Sequence, residues 1–156
     1  MLEELDRLVD EIGSVHSKLI LLVGAPRTGK TALLCELAKR RNVSLLNVGA
    51  LLGSRLSAIP QKQRHFQANT LLRELADEHA KGDLLLVDNI ELLFDRTLQL
   101  DPLDLLKRFA HARRVVAVWP GELKGGAKTG RLTYADMGHP EHQDYGLEGL
   151  VPFEVQ

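Results

Sequence analysis

The sequence has little of what marks membrane proteins, disulfide-rich secreted proteins and strongly basic nucleic-acid binders. Its one cysteine is Cys35, so no internal disulfide can form, and we expect this side chain to be a small buried apolar residue. Its longest apolar runs are too short to span a bilayer. Its formal net charge is −1, so no global field draws it to nucleic acid or to a membrane. These absences predict a cytoplasmic protein with no membrane partner.

The apolar residues that are present follow two alternating patterns. With 156 residues, 44% of them hydrophobic, the chain is long enough for one domain with a real core. Short continuous apolar runs predict strands, and runs with helical spacing predict helices between them. This alternation is typical of an α/β protein whose parallel sheet is covered by helices on both faces. The clearest predicted strands are residues 18–23, 43–48, 84–87 and 115–119.

An octapeptide, Gly24-Ala-Pro-Arg-Thr-Gly-Lys-Thr31, follows the first predicted strand and precedes a helix predicted over Thr31–Arg41. Strand, glycine-rich turn and helix in this order are the context of a phosphate-binding P-loop, or Walker A motif. The glycines let the backbone approach phosphate oxygens, and the loop N–H groups and helix N-terminus attract the anion. The predicted nucleotide-binding residues are Gly24, Ala25, Pro26, Arg27, Thr28, Gly29, Lys30, Thr31 and Ala32.

Lys30, Thr31 and Asp88 are the predicted catalytic and metal-binding residues of this site. Lys30 should reach the β- and γ-phosphates of ATP. Asp88 ends the apolar run Leu84–Val87, and the carboxyl ends of parallel strands are where folds of this kind bind ligands. The Thr31 hydroxyl and the Asp88 carboxylate should therefore hold Mg²⁺ together. ATP and Mg²⁺ are the cofactors that the sequence predicts.

The next residues resemble the Walker B region of AAA+ ATPases, especially initiators and helicase loaders, through the segment Asp88-Asn-Ile-Glu-Leu-Leu. In that superfamily a glutamate that polarises the attacking water usually follows the aspartate directly. Here Asn89 takes that place, and an amide orients water but accepts no proton. Glu91 could reach the site from the first turn of a helix, or it could face solvent there. Both Asn89 and Glu91 therefore stay candidates for positioning water.

Two further regions bear on hydrolysis. AAA+ proteins usually end the fourth strand with a polar residue that touches the γ-phosphate or the water, but here the strand ends in Trp119 and Pro120. Trp119 is either a core residue or a surface for a partner. Beyond it lies a glycine-rich segment with Arg131, the candidate arginine finger, and with Lys128 behind it. The alternatives for this segment are a solvated surface loop and a contact with the DNA backbone.

The remaining pattern divides the domain and places its other charges. Gly49–Pro60 is predicted to be a loop or helical turn, and Arg131–Asp136 a fifth strand. The pairs Arg40-Arg41 and Arg113-Arg114 precede strands two and four, so we expect them at the sheet edge opposite the nucleotide, as helix-dipole partners and solvated charge. The predicted segments are an N-terminal helix at 1–16, a nucleotide-binding core at 18–136 and a C-terminal tail at 137–156.

The P-loop, the segment Leu84–Glu91, the N-terminal helix and the total length together resemble the BrxF family, the small P-loop proteins of type III BREX bacteriophage-defence systems. The resemblance implies a bacterial component of a multi-protein system that methylates host DNA and blocks phage replication, so the implied partners are other BREX proteins. It also implies a three-layer, AAA+-like P-loop NTPase fold, with sheet order 5-1-4-3-2 and without a C-terminal helical lid.

Four functions fit these residues. The first is an ATP-binding switch or a slow, partner-activated ATPase, because Asn89 and the apolar end of the fourth strand weaken hydrolysis. The second is a self-sufficient ATPase that forms a homo-oligomer, with Arg131 acting on a neighbour. The third is a small-molecule kinase, which needs an arginine-rich lid that the chain does not clearly show. The fourth is a DNA-binding module, although the near-zero net charge favours at most a weak or indirect DNA contact.

Overall fold

Strands and helices alternate along the chain, as the sequence pattern predicts. The structure is a computed structural model that describes residues 1–13, 18–125, 130–134 and 143–156. The strands are β1 (Leu19–Val23), β2 (Leu45–Asn47), β3 (Leu84–Asp88), β4 (Arg114–Val118), β5 (Leu123–Lys124), β6 (Arg131–Tyr134), β7 (Gln143–Tyr145) and β8 (Val151–Glu154). The helices are α1 (Leu2–Ile12), α2 (Lys30–Arg41), α3 (Val48–Ser57), α4 (Arg64–His79) and α5 (Pro102–Ala112).

Five strands form a parallel sheet in the order β2-β3-β4-β1-β8. Read from the other edge, this is the predicted order 5-1-4-3-2, with β8 in the fifth position. The carboxyl ends of β1 and β3 lie at the same edge of the sheet, because neighbouring strands all run in one direction. The P-loop, which follows β1, and Asp88, which ends β3, are thereby brought together.

The prediction that Arg131–Asp136 forms the fifth strand of this sheet is wrong. The described part of that segment is β6, the middle strand of a separate antiparallel sheet, β5-β6-β7. Only Leu132 is buried in β6, and such one-sided burial suits an antiparallel sheet rather than a parallel one covered on both faces. The fifth position belongs to Val151–Glu154, which pairs with β1 from within the segment predicted to be a C-terminal tail.

The central sheet has a separate core on each face, because side chains along a strand alternate between the two faces. In β1, Leu21 joins one core and Leu22 the other. Helices α1 and α2 cover the face of Leu22, and α3, α4 and α5 cover the face of Leu21. The resulting three layers confirm the predicted fold class.

Helix α3 occupies most of the segment that was predicted to be a loop or helical turn. Its buried residues Val48, Leu52 and Leu56 recur every four positions, which is helical spacing. The side chain of Asn47 caps it, because its Oδ1 accepts a hydrogen bond from the Ala50 N–H at 3.0 Å. The sequence pattern did not predict this helix because Gly49 and Gly53 lie within it, and glycine has a low helix propensity.

Other predictions concern the ends of the chain and its cysteine. Helix α1 ends at Ile12, and residues 14–16 of the predicted N-terminal helix lie outside the described residues. The described residues after α5 form strands and turns and contain no helix. Cys35 is only partly buried, so the expectation of a buried thiol is wrong. Among the described residues, no helix is both long enough and apolar enough to cross a membrane.

Candidate nucleotide-binding site

The P-loop backbone has the conformations that its glycines were expected to allow. Gly24 has φ 152° and Gly29 has φ 93°, and Arg27 also has a positive φ, 67°. A Cβ on Gly24 would lie 2.5 Å from the Val155 carbonyl oxygen, so only glycine fits between β1 and the residue after β8. The Thr28 hydroxyl donates to the Ala25 carbonyl at 2.9 Å and closes the turn.

Backbone carbonyls, rather than acidic side chains, hold the ammonium group of Lys30. Its Nζ donates to the carbonyls of Gly24 at 2.8 Å, Trp119 at 2.9 Å and Gly121 at 3.4 Å. No carboxylate in the described part of the chain forms an ion pair with it. The ammonium is therefore fixed in place while its charge is not neutralised, which suits an anionic ligand such as phosphate.

The pKa of Lys30 is lowered from its ordinary value chiefly because the side chain is partly buried, and burial disfavours the charged form. The negative charges of Glu122 and Glu91 oppose this shift. The two carboxylates act at a distance, without forming an ion pair, so they keep Lys30 charged without blocking its access to phosphate.

Thr31 and Asp88 meet as the sequence predicts for a magnesium site. The Thr31 Oγ1 donates to the Asp88 Oδ1 at 3.3 Å, and the same carboxylate oxygen accepts from the Asn89 backbone N–H at 2.8 Å. A hydroxyl and a carboxylate are oxygen ligands that Mg²⁺ prefers, and Mg²⁺ usually keeps several waters and binds phosphate as well. Among the described residues, no group of three or more His, Cys, Asp and Glu side chains could hold a metal ion. A Mg²⁺ site of this kind does not need such a group, because waters and phosphate oxygens supply the other ligands.

Asn89 is locked by its surroundings. Its φ is 56°, a left-handed conformation that asparagine tolerates better than most residues. Its side-chain Nδ2 donates to the Asn47 Oδ1 at 2.9 Å, and its backbone carbonyl accepts from the Gly49 N–H at 3.0 Å. A Cβ on Gly49 would collide with the Asn89 amide, so any larger residue there would displace this side chain from its present position.

Glu91 begins a short 3-10 helix, Glu91–Phe94, and lines the same cavity as Lys30 and Asp88. Both placements considered from the sequence are met in part, because the Glu91 side chain lines the cavity and is also exposed to solvent. Glu91 and Asp88 are the carboxylates that line this cavity among the described residues. Because Asp88 is the predicted Mg²⁺ ligand, Glu91 is the other carboxylate of this cavity, and its role in positioning water stays a prediction.

The cavity is large enough for a nucleotide and opens to solvent. Its volume is about 730 Å³, within the range of roughly 300–1,000 Å³ that small-molecule sites occupy. Its walls come from the P-loop, from the ends of β2, β3 and β4, and from β6. The lining residues are Pro26, Lys30, Thr31, Asn47, Asp88, Asn89, Glu91, Val118, Trp119, Pro120 and Tyr134.

Trp119 is a core residue, one of the two alternatives that the sequence left open. Its side chain is fully buried, and its Nε1 donates to the Thr133 carbonyl at 2.9 Å. The end of β4 thus presents no polar side chain to the cavity, as the sequence predicted. Tyr134, from the neighbouring antiparallel sheet, lines the cavity beside it.

The candidate arginine finger lies away from the cavity of its own chain. Arg131 is exposed at the start of β6, opposite Lys124 of β5, and it is not among the cavity residues. An arginine that acts on a neighbouring subunit would have to be exposed in this way, so its role stays a prediction. Lys128 lies outside the described residues. Arg27 is exposed at the tip of the P-loop and does not line the cavity either.

Sequence reasoning missed Asn47, Tyr134 and Glu122. Asn47 ends β2 directly beside Asp88 in the strand register, and its position at the end of an apolar run is a signal that could have found it. Tyr134 lines the cavity, and Glu122 lies close enough for its charge to act on Lys30, only because the segment after β4 turns back as an antiparallel sheet. No motif in the sequence announces that turn.

Comparison with known proteins supports the fold. No protein-family model matches the chain, and no curated protein is significantly similar to it in sequence. Among solved structures, a DNA replication initiation factor matches with a TM-score of 0.52 and 16% identity over 99% of this chain and 44% of its own. C. elegans PCH-2 matches with a TM-score of 0.52 and 19% identity, over 99% of this chain and 41% of its own.

Both structures share the α/β fold of this chain, which confirms the predicted fold class, an AAA+-like arrangement of a five-stranded parallel sheet. The chain spans less than half of the length of either protein. The similarity therefore covers less than half of each of these proteins. Sequence identities of 16% and 19% establish the fold alone.

Proposed function

We propose that this protein binds ATP with Mg²⁺ and works as a nucleotide switch or a slow ATPase that a partner activates. The observation that carries the proposal is the meeting of Lys30, Thr31 and Asp88 in one open cavity at the carboxyl edge of a parallel sheet. P-loop proteins use a charged lysine to bind the phosphates, and they use a hydroxyl and a carboxylate to bind the metal.

Each side chain has a chemical role in this proposal. Lys30 contacts the β- and γ-phosphates and offsets the charge that builds up on the transferred phosphoryl group. Thr31 and Asp88 would hold Mg²⁺, which supplies further charge stabilisation at the phosphates when bound. Glu91 accepts the proton of the attacking water, and the amide of Asn89 orients that water. Hydrolysis then yields ADP and inorganic phosphate.

Slow turnover follows from what occupies the positions around the water. Asn89 cannot accept a proton, and its amide is already bonded to Asn47. Glu91 begins a 3-10 helix two residues further along, so it approaches the water from a different direction than a carboxylate at position 89 would. The end of β4 supplies Trp119, whose indole points into the core. A partner protein is the natural source of the missing groups.

The cellular setting is part of the proposal. The resemblance to small P-loop proteins of type III BREX systems favours a role in a bacterial phage-defence complex, with other BREX proteins as the partners. A homo-oligomer is the second candidate, and the exposed position of Arg131 favours it, because this arginine could reach a neighbour's ATP. Weak or indirect DNA contact through Arg131 stays a third option.

The first experiment is steady-state ATP hydrolysis by the purified protein over a dilution series, with Lys30→Ala as the blank. We expect a low rate per molecule that does not change with protein concentration and that rises when partner proteins are added. A rate that climbs steeply with concentration, and that falls in Arg131→Ala, would support the homo-oligomer instead. A fast rate that partners do not alter would contradict the switch.

A direct binding measurement tests the proposal at its base. Calorimetric titration with MgATP should show binding to the wild-type protein and loss of binding in Lys30→Ala, while the far-ultraviolet circular dichroism of the two proteins stays the same. Equal binding to both proteins would mean that the nucleotide site is assigned wrongly. Bacteria that carry the Lys30→Ala variant in place of the wild type should lose phage resistance if the protein acts within a defence complex.

A further inference from the structure

The antiparallel sheet β5-β6-β7 joins the central sheet through a cluster of aromatic rings. Trp119, which directly follows β4, meets Phe94 edge-on with ring centroids 5.4 Å apart and meets Tyr145 edge-on at 5.2 Å. Tyr134 stacks on Phe94 at 3.8 Å with an angle of 6° between the rings. Because Tyr134 and Tyr145 belong to β6 and β7, this packing determines how the small sheet docks.

Hydrogen bonds fasten the same joint. The Trp119 Nε1 donates to the Thr133 carbonyl at 2.9 Å, and the Thr133 backbone N–H donates to the Glu122 carbonyl at 2.9 Å. A Cβ on Gly121 would overlap with the Thr133 carbonyl, so glycine is needed for β6 to lie this close. The segment from Trp119 to Glu122 and the strand β6 therefore move together or not at all.

Lys30 holds this segment from the other side. Its ammonium group has three donor hydrogens, and its three acceptors are the carbonyls of Gly24, Trp119 and Gly121. Gly24 belongs to the P-loop, whereas Trp119 and Gly121 belong to the segment that carries β6. One side chain thus bridges the phosphate-binding loop and the docked sheet.

Phosphate competes directly for the same donors. A phosphate oxygen carries negative charge and is a stronger acceptor for an ammonium group than a neutral carbonyl is. A nucleotide bound at the P-loop would therefore draw Lys30 away from Trp119 and Gly121. The segment from Trp119 to Glu122 would then lose both hydrogen bonds from Lys30 and keep the one that the Trp119 N–H donates to the Leu22 carbonyl of β1 at 2.9 Å.

We propose that Trp119 is a positioning residue that acts through Lys30 and couples phosphate binding to the docking of the β5-β6-β7 sheet. Without nucleotide, Lys30 holds Trp119 and the sheet stays docked; bound phosphate takes Lys30, and the docking loosens. The coupling is reciprocal, so loosening the sheet strengthens nucleotide binding by the same factor. This inference rests on the proposed nucleotide site, and it identifies the surface through which a partner would read the nucleotide state.

Trp119 is the one tryptophan of the chain, so its fluorescence reports on the joint directly. We expect a red shift of its emission on adding MgATP, MgADP or pyrophosphate, because a loosened joint admits water, and no shift on adding adenosine. In Lys30→Ala the emission without ligand should already be shifted and should not respond to ligands. Lys39→Ala, which changes an exposed lysine of the same helix, should behave like the wild type.

The reciprocal arm uses a variant outside the cavity. Tyr145→Leu removes a ring contact to Trp119 but leaves Lys30 and all cavity residues in place. We expect its dissociation constant for MgATP to fall about fivefold, the lower end of ordinary coupling between sites. Phe109→Leu, a similar loss from a partly buried ring of α5 that has no ring contact with the cluster, should leave the constant unchanged.

The outcomes separate this inference from the proposed function. Calorimetric binding of MgATP with constant Trp119 emission would contradict the coupling and leave the nucleotide site intact. An equal shift with adenosine would also contradict it, because the phosphate would not be the cause. Unchanged or weaker affinity in Tyr145→Leu would contradict the coupling, because coupled equilibria are necessarily reciprocal. Absence of any MgATP binding would overturn both proposals.

Discussion

The two ends of the central sheet use charge in opposite ways. At the amino ends of the strands, arginines pair with carboxylates of the same chain. The Arg41 Nε lies 2.7 Å from the Asp6 Oδ1, and the Arg114 Nη2 lies 2.7 Å from the Asp83 Oδ1. Arg114 also donates to the Val9 carbonyl of α1 at 2.9 Å. These arginines connect α1 and the start of β4 to the rest of the fold. The sequence predicted only helix-dipole partners and solvated charge for them.

At the carboxyl ends, Lys30 and Asp88 form no ion pair with any described residue of the chain. Lys30 contacts three carbonyls, and Asp88 accepts from a hydroxyl and a backbone N–H. Each of these contacts is weaker than an ion pair with good geometry, so a ligand that carries charge can replace it. Charged side chains at the amino ends of the strands thus stabilise the fold by pairing with each other, whereas Lys30 and Asp88 at the carboxyl ends stay available for a ligand.

Lys30→Ala should produce the largest effect at the ligand end. We expect the affinity for MgATP to fall about a hundredfold, because a charge-assisted contact to phosphate is worth about 1.5–3 kcal/mol. Calorimetric titration measures this loss. The free energy of unfolding should change little, since the three carbonyls that Lys30 leaves can bind water at the open cavity. A large loss of stability with unchanged affinity would reverse the contrast between the two ends.

A pair of glycine variants shows where the ligand end also carries stability. Gly24→Ala combines a positive φ with a Cβ 2.5 Å from the Val155 carbonyl oxygen, so we expect a loss of about 2–3 kcal/mol in the free energy of unfolding. Gly29→Ala also has a positive φ but meets no atom within 4 Å, so about 1 kcal/mol should be lost. Chemical denaturation compares the two. Equal losses would mean that the contact with the residue after β8 is unimportant.

Glu91→Gln separates binding from hydrolysis at the same end. We expect the hydrolysis rate to fall about tenfold, less than a well-placed general base would cause, with MgATP affinity unchanged. Single-turnover kinetics and calorimetry supply the two numbers, and Glu36→Gln, an exposed carboxylate of α2, is the matched control. If Asn89→Ala slows hydrolysis while Glu91→Gln does not, Asn89 is the residue that positions water.

The parts of the molecule that the sequence predicts are those set by local pattern. The P-loop, the helix α2 that follows it and the strand that ends at Asp88 all follow from neighbouring residues, and the structure has them as predicted. The prediction that Arg131–Asp136 is the fifth strand of the central sheet was wrong because strand pairing is decided by residues that are distant in the sequence. Leu132 alone is buried in β6, whereas β8 pairs along its whole length with β1, and no short window of sequence compares these two choices.

The candidate site divides in the same way. Spacing along the chain places Lys30 and Thr31 because they share one turn of helix, and it places Asp88 because parallel strands end at one edge. Asn47 and Tyr134 enter the cavity from β2 and β6, whose positions depend on the whole sheet. The cavity wall formed by the P-loop and the end of β3 is thus predictable from the sequence, and the wall formed by β2 and β6 is not.

Asp83→Asn should produce the smallest effect, and it tests the opposite end of the sheet. The hydrogen bond and the charge of Arg114 hold the pKa of Asp83 below its ordinary value, so its contribution to stability is present above about pH 4 and is lost as pH falls through the lowered pKa. The Asp83 side chain is 57% exposed, although that of Arg114 is only 17% exposed, so solvent screens the pair and we expect the variant to lose only about 0.5 kcal/mol at pH 7 in low salt. The difference from the wild type should shrink at pH 3 and in high salt, because protonation of Asp83 and screening each weaken the pair.

Urea denaturation at the two pH values measures this difference in the free energy of unfolding. Glu148→Gln, a change at an exposed carboxylate, is the control. A loss at pH 7 that persists unchanged at pH 3 would show that Asp83 acts through hydrogen-bond geometry rather than charge, and MgATP affinity that follows the loss would show that the two ends are not independent.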